Sequence, residues 1–192
     1  MNGRKLKSYD CWGFQHGLLS ADEIDCLMSA VVGSTHILEV GHYYGLSTCA
    51  IVGAMQSTAR HWSLVSVDAH IPDAWVPESL YAPYLANKIA HFNDPRVMTL
   101  IQRSEAITQM DGFDTLFYDG DHGEEQMRFI TMAAETESMR MIIYDDRDFE
   151  VPSQCSEYLR RAGWREHSLP TRRLEDDKDN PNTMTLAIFT KG

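Results

Sequence analysis

The run from His36 to Thr48 narrows the folds open to this chain more than any other stretch. It opens with a short apolar run, Ile37 to Val40, interrupted by Glu39. Gly41 and Gly45 follow, and Ser47-Thr48 leads into the apolar Cys49-Ala50-Ile51-Val52. The pattern predicts a buried strand, a tight glycine turn and the first turn of a helix. Glycine lets backbone approach a ligand closely. The N–H groups at a helix start, here around Ser47, are open to an anion or carboxylate. A second acid, Asp68, closes the next apolar run, Val65-Ser66-Val67. It stands at the interval of about 20 residues at which a carboxylate beyond a glycine turn takes the hydroxyls of a ribose. The glycine spacing is Gly41-x-x-x-Gly45, which is not the Gly-x-Gly-x-x-Gly of dinucleotide sites.

The rest of the chain repeats the alternation. Ser20 with Glu23 three residues on is a capping box ahead of a helix over 21–32, with Ile24, Leu27, Met28 and Val31 inward. After the glycine turn come a helix over 46–57, a strand over 62–67, a loop over 69–77 carrying His70 and Trp75, and a helix over 79–92. A turn at 93–95 leads to a strand over 97–101 and a short helix from Ser104 to Met110. A strand over 113–118 ends in Asp119-Gly120-Asp121-His122, followed by a helix over 124–136. A strand over 139–144 ends in Asp145-Asp146, followed by a helix over 153–162 stopped by Gly163. Strands over 164–169 and 183–190 flank a polar loop, 170–182. Five strand–helix units and a closing strand pair predict an α/β fold: a mostly parallel seven-stranded sheet, helices on both faces and an antiparallel edge strand. The chain reads as one domain over 1–192, with 1–33 an N-terminal helical segment against which Trp12 and Phe14 tuck.

Composition excludes several function classes. Acids outnumber bases 28 to 17, a net charge of −11, which argues against nucleic-acid or anionic-membrane partners, since phosphate binding rests on Lys and Arg. Arg160-Arg161 and Arg172-Arg173 read as solvated pairs. No apolar run approaches the ~18 residues of a membrane span, and the basic N-terminus has no apolar run behind it. Cys11, Cys26, Cys49 and Cys155 are scattered and read as reduced thiols. The expectation is a cytoplasmic protein acting on a small molecule, and the edge strands are suited to a homodimer.

Parallel strands share one C-terminal edge, so Glu39, Asp68, Asp119, Asp121, His122, Asp145 and Asp146 are expected in one crevice. So many carboxylates repel unless a cation or proton neutralises them. Asp119, Asp145 and Asp146 would make an all-oxygen set suited to Mg²⁺, Mn²⁺ or Ca²⁺. Asp121 or His122 is left to accept a proton from a substrate hydroxyl. The bland readings stay open: Asp121 or His122 starts the following helix, and Asp145-Asp146 is a solvated turn. A zinc site from His122 with His70 or His42 is the weakest reading.

Glu39-Val40-Gly41-x-x-x-Gly45-x-Ser47 resembles the first motif of class I S-adenosylmethionine-dependent methyltransferases. Phe113 to His122 and Ile142 to Asp146 resemble the fourth- and fifth-strand ends of the branch carrying Asp-Gly-Asp-His. The resemblance covers 17–143 and implies that Glu39, Gly41 and Gly45 lie along the methionine part of the cofactor, beside Ser47. It implies that Asp68 takes the ribose and that Ser104 and Glu105 lie near the adenine. In the subgroup that methylates sugar hydroxyls, the matching acids hold a divalent metal and supply a base. Those roles carry to Asp119, Asp145 and Asp146 for the metal, with Mg²⁺ as the expected ion, and to Asp121 for the base. Asp119 then borders both metal and cofactor. Two features depart from the family: Tyr43 stands where many methyltransferases have a middle glycine, and Glu137-Ser138-Met139-Arg140 replaces the usual Pro-Gly-Gly turn. The implied activity is methyl transfer to a hydroxyl oxygen. Alternatives on the same fold are an oxidoreductase resembling cephalosporin hydroxylase-like proteins and a non-catalytic cofactor-binding module. A nicotinamide-dependent dehydrogenase is disfavoured by the glycine spacing and by the lack of a Tyr-x-x-x-Lys pair.

Overall fold

The computed structural model describes residues 19, 21–43, 45–58, 60–69, 94–121, 123–146, 150–167 and 186–192. Trp12, Phe14, Ser20, His70, Trp75, His122, the helix expected over 79–92 and the loop at 170–182 lie outside the described residues.

Seven strands form one sheet: β1 (His36–Val40), β2 (Ser63–Asp68), β3 (Val97–Ile101), β4 (Thr115–Tyr118), β5 (Met141–Tyr144), β6 (Trp164–His167) and β7 (Ala187–Lys191). Their order is β3-β2-β1-β4-β5-β7-β6. The first five are mutually parallel, and β7 runs antiparallel to both β5 and β6. Four α-helices are described: α1 (Ala21–Val31), α2 (Leu46–Gln56), α3 (Glu124–Glu135) and α4 (Glu150–Arg161).

Period-2 alternation sorts each strand between two cores. Ile37, Leu64, Phe117 and Ile143 pack with Leu27 and Val31 of α1 and Ile51 and Met55 of α2. Leu38, Val40, Leu116, Tyr118, Ile142 and Tyr144 pack with Phe129, Ile130 and Ala133 of α3 and Cys155 and Leu159 of α4. α2 is apolar nearly all round, which fits a helix enclosed between the sheet and α1; Ser47 through Val52, Ala54 and Met55 are all buried. At the N-terminal edge the Asp114 carboxylate fastens two strand starts, accepting from the N–H of Thr35 at 2.8 Å and of His36 at 3.2 Å. β4 therefore begins at Thr115, later than the sequence predicts.

Two further expectations are corrected. The short helix from Ser104 shrinks to a single 3-10 turn, Ser104–Ala106. The last helix begins at Glu150, with Pro152 inside its first turn; proline is tolerated there because that N–H has no intrahelical partner to lose. Gly163 ends this helix at φ 84. No described helix is long and apolar enough to cross a membrane.

Candidate active site

Register places the acids in one row. Val67, Val40, Tyr118 and Tyr144 are neighbours across β2, β1, β4 and β5. The residues one step on, Asp68, Gly41, Asp119 and Asp145, therefore line up along the C-terminal edge. Main-chain bonds carry the row outward from the sheet: Gly41 N–H to Val67 O at 2.8 Å, Asp119 N–H to Val40 O at 2.8 Å, and Asp145 N–H to Tyr118 O at 3.1 Å. By the same alternation Glu39, Asp68, Asp119 and Asp145 share the face covered by α1 and α2.

The turn from Gly41 to Gly45 is held open by left-handed backbone. Gly41, Tyr43 and Gly45 have φ of 86°, 44° and 83°. Tyr43 thus adopts a conformation that favours glycine. Its N–H donates to Asp68 Oδ2 at 2.8 Å, so Asp68 stands on this edge and braces the turn. Gly41 admits no side chain: a Cβ there would stand 2.0 Å from the main-chain oxygen of Asp119. Its glycine serves the close approach of one strand end to another.

Glu39 is fully buried and is held by the first turn of α2. Ser47 Oγ donates to its Oε1 at 2.6 Å and Thr48 Oγ1 to its Oε2 at 2.7 Å. Burial raises the Glu39 carboxyl; the Ser47, Ser66 and Thr48 hydroxyls pull it back, and the Asp68 charge adds to the rise. His42, also buried, has Nδ1 2.8 Å from Ser66 Oγ, and Ser66 Oγ lies 3.4 Å from Thr48 Oγ1. A buried polar network thus joins Ser47, Glu39, Thr48, Ser66 and His42 under the glycine turn. Thr48, Ser66 and His42 were not singled out for this from the sequence. A polar Ser66 in an apolar strand, on the same face as Glu39, was the available signal.

Asp119 stands among several other acids. Burial raises its carboxyl well above the ordinary 3.8, followed by the charges of Asp145, Glu39, Glu23 and Asp68. Glu23, read from sequence only as a helix-start residue, is buried and belongs to this electrostatic neighbourhood. Two neighbouring carboxylates, Asp145 buried and Asp119 half-buried, suit a shared proton or a cation, and Mg²⁺ commonly takes one or two carboxylates with water and substrate oxygens. Among the described residues no group of three His, Cys, Asp or Glu side chains comes together as a metal site. Asp146 follows in left-handed backbone, φ 56°.

Asp121 is exposed. Its main-chain oxygen accepts from Tyr118 Oη at 2.9 Å, and burial raises the Tyr118 phenol. A Cβ on Gly123 would meet an Asp121 carboxylate oxygen at 3.4 Å, so that carboxylate leans over the start of α3, whose N-cap is Gly123 itself. Beyond β3, Ser104 Oγ donates to Glu125 Oε1 at 3.2 Å and Glu105 is exposed. Arg128, which no sequence signal marked, donates to the carbonyls of Ile107 at 2.9 Å and Ser104 at 3.1 Å.

Comparisons with known proteins agree with this architecture. A family model described as a methyltransferase domain matches residues 38–139. No curated protein matches the sequence. Among solved structures, the chain is similar to the O-methyltransferase of Streptomyces achromogenes involved in tomaymycin synthesis, solved with S-adenosylmethionine. They share 15% identity and a TM-score of 0.63, over 97% of this chain and 87% of that one. An O-methyltransferase of Bacillus cereus, solved with S-adenosylhomocysteine, shares 17% identity and a TM-score of 0.62 over 97% and 84% of the two chains. The precorrin-6y C5,15-methyltransferase of Geobacter metallireducens shares 10% identity and a TM-score of 0.63 over 100% and 94%.

Proposed function

This chain belongs to the methyltransferase domain family, and we propose that it moves the methyl group of S-adenosylmethionine to a hydroxyl oxygen of a small-molecule acceptor. The observation that carries this reading is the row Asp68, Gly41, Asp119 and Asp145, set on one edge with Glu39 beneath it. The cofactor is cationic at its sulfonium and at its α-ammonium group, and a crevice rimmed with carboxylates attracts such a ligand. In this reading Asp68 accepts from the ribose hydroxyls and the methionine end lies along the glycine turn, as the family resemblance implies. Neither the oxidoreductase nor the non-catalytic alternative draws support from the family match.

The chemistry asks little of the protein beyond placement. The acceptor oxygen attacks the methyl carbon in line as the carbon–sulfur bond breaks, its electron pair going to sulfur to leave S-adenosylhomocysteine. The hydroxyl proton passes to a carboxylate, and Asp121 is the proposed base. His122 stays a second candidate for that role. Asp119 and Asp145, with Asp146 beside them, are the residues that would hold a divalent cation, which supplies Lewis acidity toward the acceptor hydroxyl when bound. In this chain's own terms, Glu39 fixes the first turn of α2, Asp68 braces the Gly41–Gly45 turn, and Asp119 holds or releases a proton according to its neighbours.

Calorimetric titration with S-adenosylmethionine and S-adenosylhomocysteine, with and without Mg²⁺, tests the cofactor reading. A panel of hydroxylated acceptors then tests transfer. Binding of both ligands followed by methylation of a hydroxyl supports the proposal; absence of binding in either condition refutes it.

A further inference from the structure

The chain between β3 and β4 must pass β2 and β1, because the strand order is β3-β2-β1-β4. It does so with a single 3-10 turn, Ser104–Ala106. Irregular segments leave main-chain carbonyls without ladder partners, and such groups must be satisfied elsewhere. Arg128 on α3 reaches two carbonyls of this segment, that of Ile107 and that of Ser104, which also accepts from the N–H of Ile107 at 2.9 Å. Its Nη1 donates to Ile107 O at 2.9 Å and its Nη2 to Ser104 O at 3.1 Å. The same guanidinium donates through Nε to Glu125 Oε2 at 2.9 Å and through Nη2 to Oε1 at 2.5 Å. Glu125 Oε1 in turn accepts from Ser104 Oγ at 3.2 Å. All three guanidinium nitrogens are thus committed, and only a planar five-donor fork serves two carbonyls and a carboxylate at once. The plane also lies 4.6 Å from the centre of the Phe129 ring.

The turn so held starts beside Asp68. Ile101 pairs with Asp68, and Gln102 N–H donates to Asp68 O at 2.9 Å. A ribose seated on Asp68 leaves two directions along the sheet edge. One leads to the glycine turn, where the family resemblance implies the methionine end; the other leads to β3 and the Ser104–Ile107 turn, where the same resemblance implies the nucleoside base.

We propose that Arg128, together with Glu125, is the positioning residue that sets the Ser104–Ile107 turn as the wall for the base of the nucleoside. This rests on the cofactor reading above. The clamp touches no ligand; it holds the backbone that does. Arg128→Lys keeps the charge without the fork, and Arg128→Ala removes both. Arg160→Ala, which breaks the Arg160–Glu166 ion pair of 2.7 Å between α4 and β6, controls for a general loss of stability. Each protein is titrated with S-adenosylhomocysteine and with S-inosylhomocysteine, which differs only at the edge of its base.

Both Arg128 variants are expected to lose about tenfold in affinity for S-adenosylhomocysteine and several-fold in preference for adenine over hypoxanthine, as a disordered wall costs more on binding. Arg160→Ala should change neither. A folded Arg128 variant that keeps both the affinity and the base preference overturns the proposal and leaves the cofactor reading standing. Wild-type protein that binds no S-adenosylhomocysteine overturns the cofactor reading and the proposal with it. Should both Arg128 variants fail to fold, Glu125→Gln decides: a loss of base preference supports the clamp, and an unchanged preference overturns it.

Discussion

The main-chain oxygen of Asp119 occupies the space a side chain on Gly41 would need: a Cβ built there stands 2.0 Å from that oxygen and 2.5 Å from its carbon. Two strand ends on the C-terminal edge of the sheet are thereby pressed together. Gly41→Ala must displace β4 from β1 at the row of acids and also hold alanine at φ 86°. It is expected to cost at least ~3 kcal/mol, combining the left-handed penalty with a backbone clash. Gly163→Ala, at φ 84° with nothing within 4 Å, should cost only about 1–2 kcal/mol. Urea denaturation of the two variants measures the difference, and equal losses would remove the close-approach argument.

Thr48→Val tests the buried network. It keeps the shape and removes the hydroxyl that donates to Glu39 Oε2 at 2.7 Å. A buried carboxylate that loses a donor costs roughly 1–3 kcal/mol. The loss should be greatest at neutral pH, where the missing donor would have pulled the Glu39 carboxyl down, and should shrink in acid as Glu39 takes up a proton. A loss independent of pH would place the effect in packing alone.

Asp119 makes stability depend on pH in a definite direction. Burial and the Asp145 charge raise its carboxyl above 3.8, so the folded protein binds that proton more tightly than the unfolded chain. Its contribution is whole below the unfolded pKa and is lost as pH rises through the raised folded value. Asp119→Asn is neutral at every pH. Relative to wild type it should gain nothing below pH ~4 and melt higher at pH 7, by about 2–4 °C for each ~1 kcal/mol relieved at this chain length. Melting curves at the two pH values read this directly; a gain of the same size at both would contradict the assignment.

Asp68→Asn separates the two tasks of that residue. The amide oxygen can still accept from the N–H of Tyr43, a bond of 2.8 Å in the native protein, so the turn should survive. The lost charge should weaken S-adenosylhomocysteine binding about tenfold or more, since bonds to a charged acceptor are each worth roughly 1.5–3 kcal/mol. Calorimetry checks the affinity and thermal melting checks the turn.

Asp145→Ala tests the acid pair in turnover. It should abolish methyl transfer while leaving cofactor affinity nearly intact, because Asp145 stands at the far end of the row from Asp68. Turnover equal to wild type would sink the metal-assisted form of the reaction.

Much of this was legible in the residues. Ile37 to Val40, Gly41 and Leu46 onward announced strand, turn and helix, and the structure has them within a residue or two. Asp68 and Asp119 followed from strands that end where apolar runs end. The short stretch from Ser104 carries no period that separates a helix from a single turn, and the start of α4 at Glu150 lies three residues ahead of the expected one. The resemblance implies a place for Glu39 along the cofactor; that Ser47 and Thr48 donate to its carboxylate is a fact of packing that no local pattern shows.

The sequence by itself determined the class of fold and the edge on which the acids gather, because hydrophobic period and strand-end chemistry are local properties. Only the tertiary structure decided what each polar group spends its hydrogen bonds on. Gly41 answers to Asp119, Glu39 to the start of α2, and Arg128 to a turn that lies beyond β3. Those partners are far apart along the chain and meet only when the order β3-β2-β1-β4 brings the strand ends together, which no local pattern encodes.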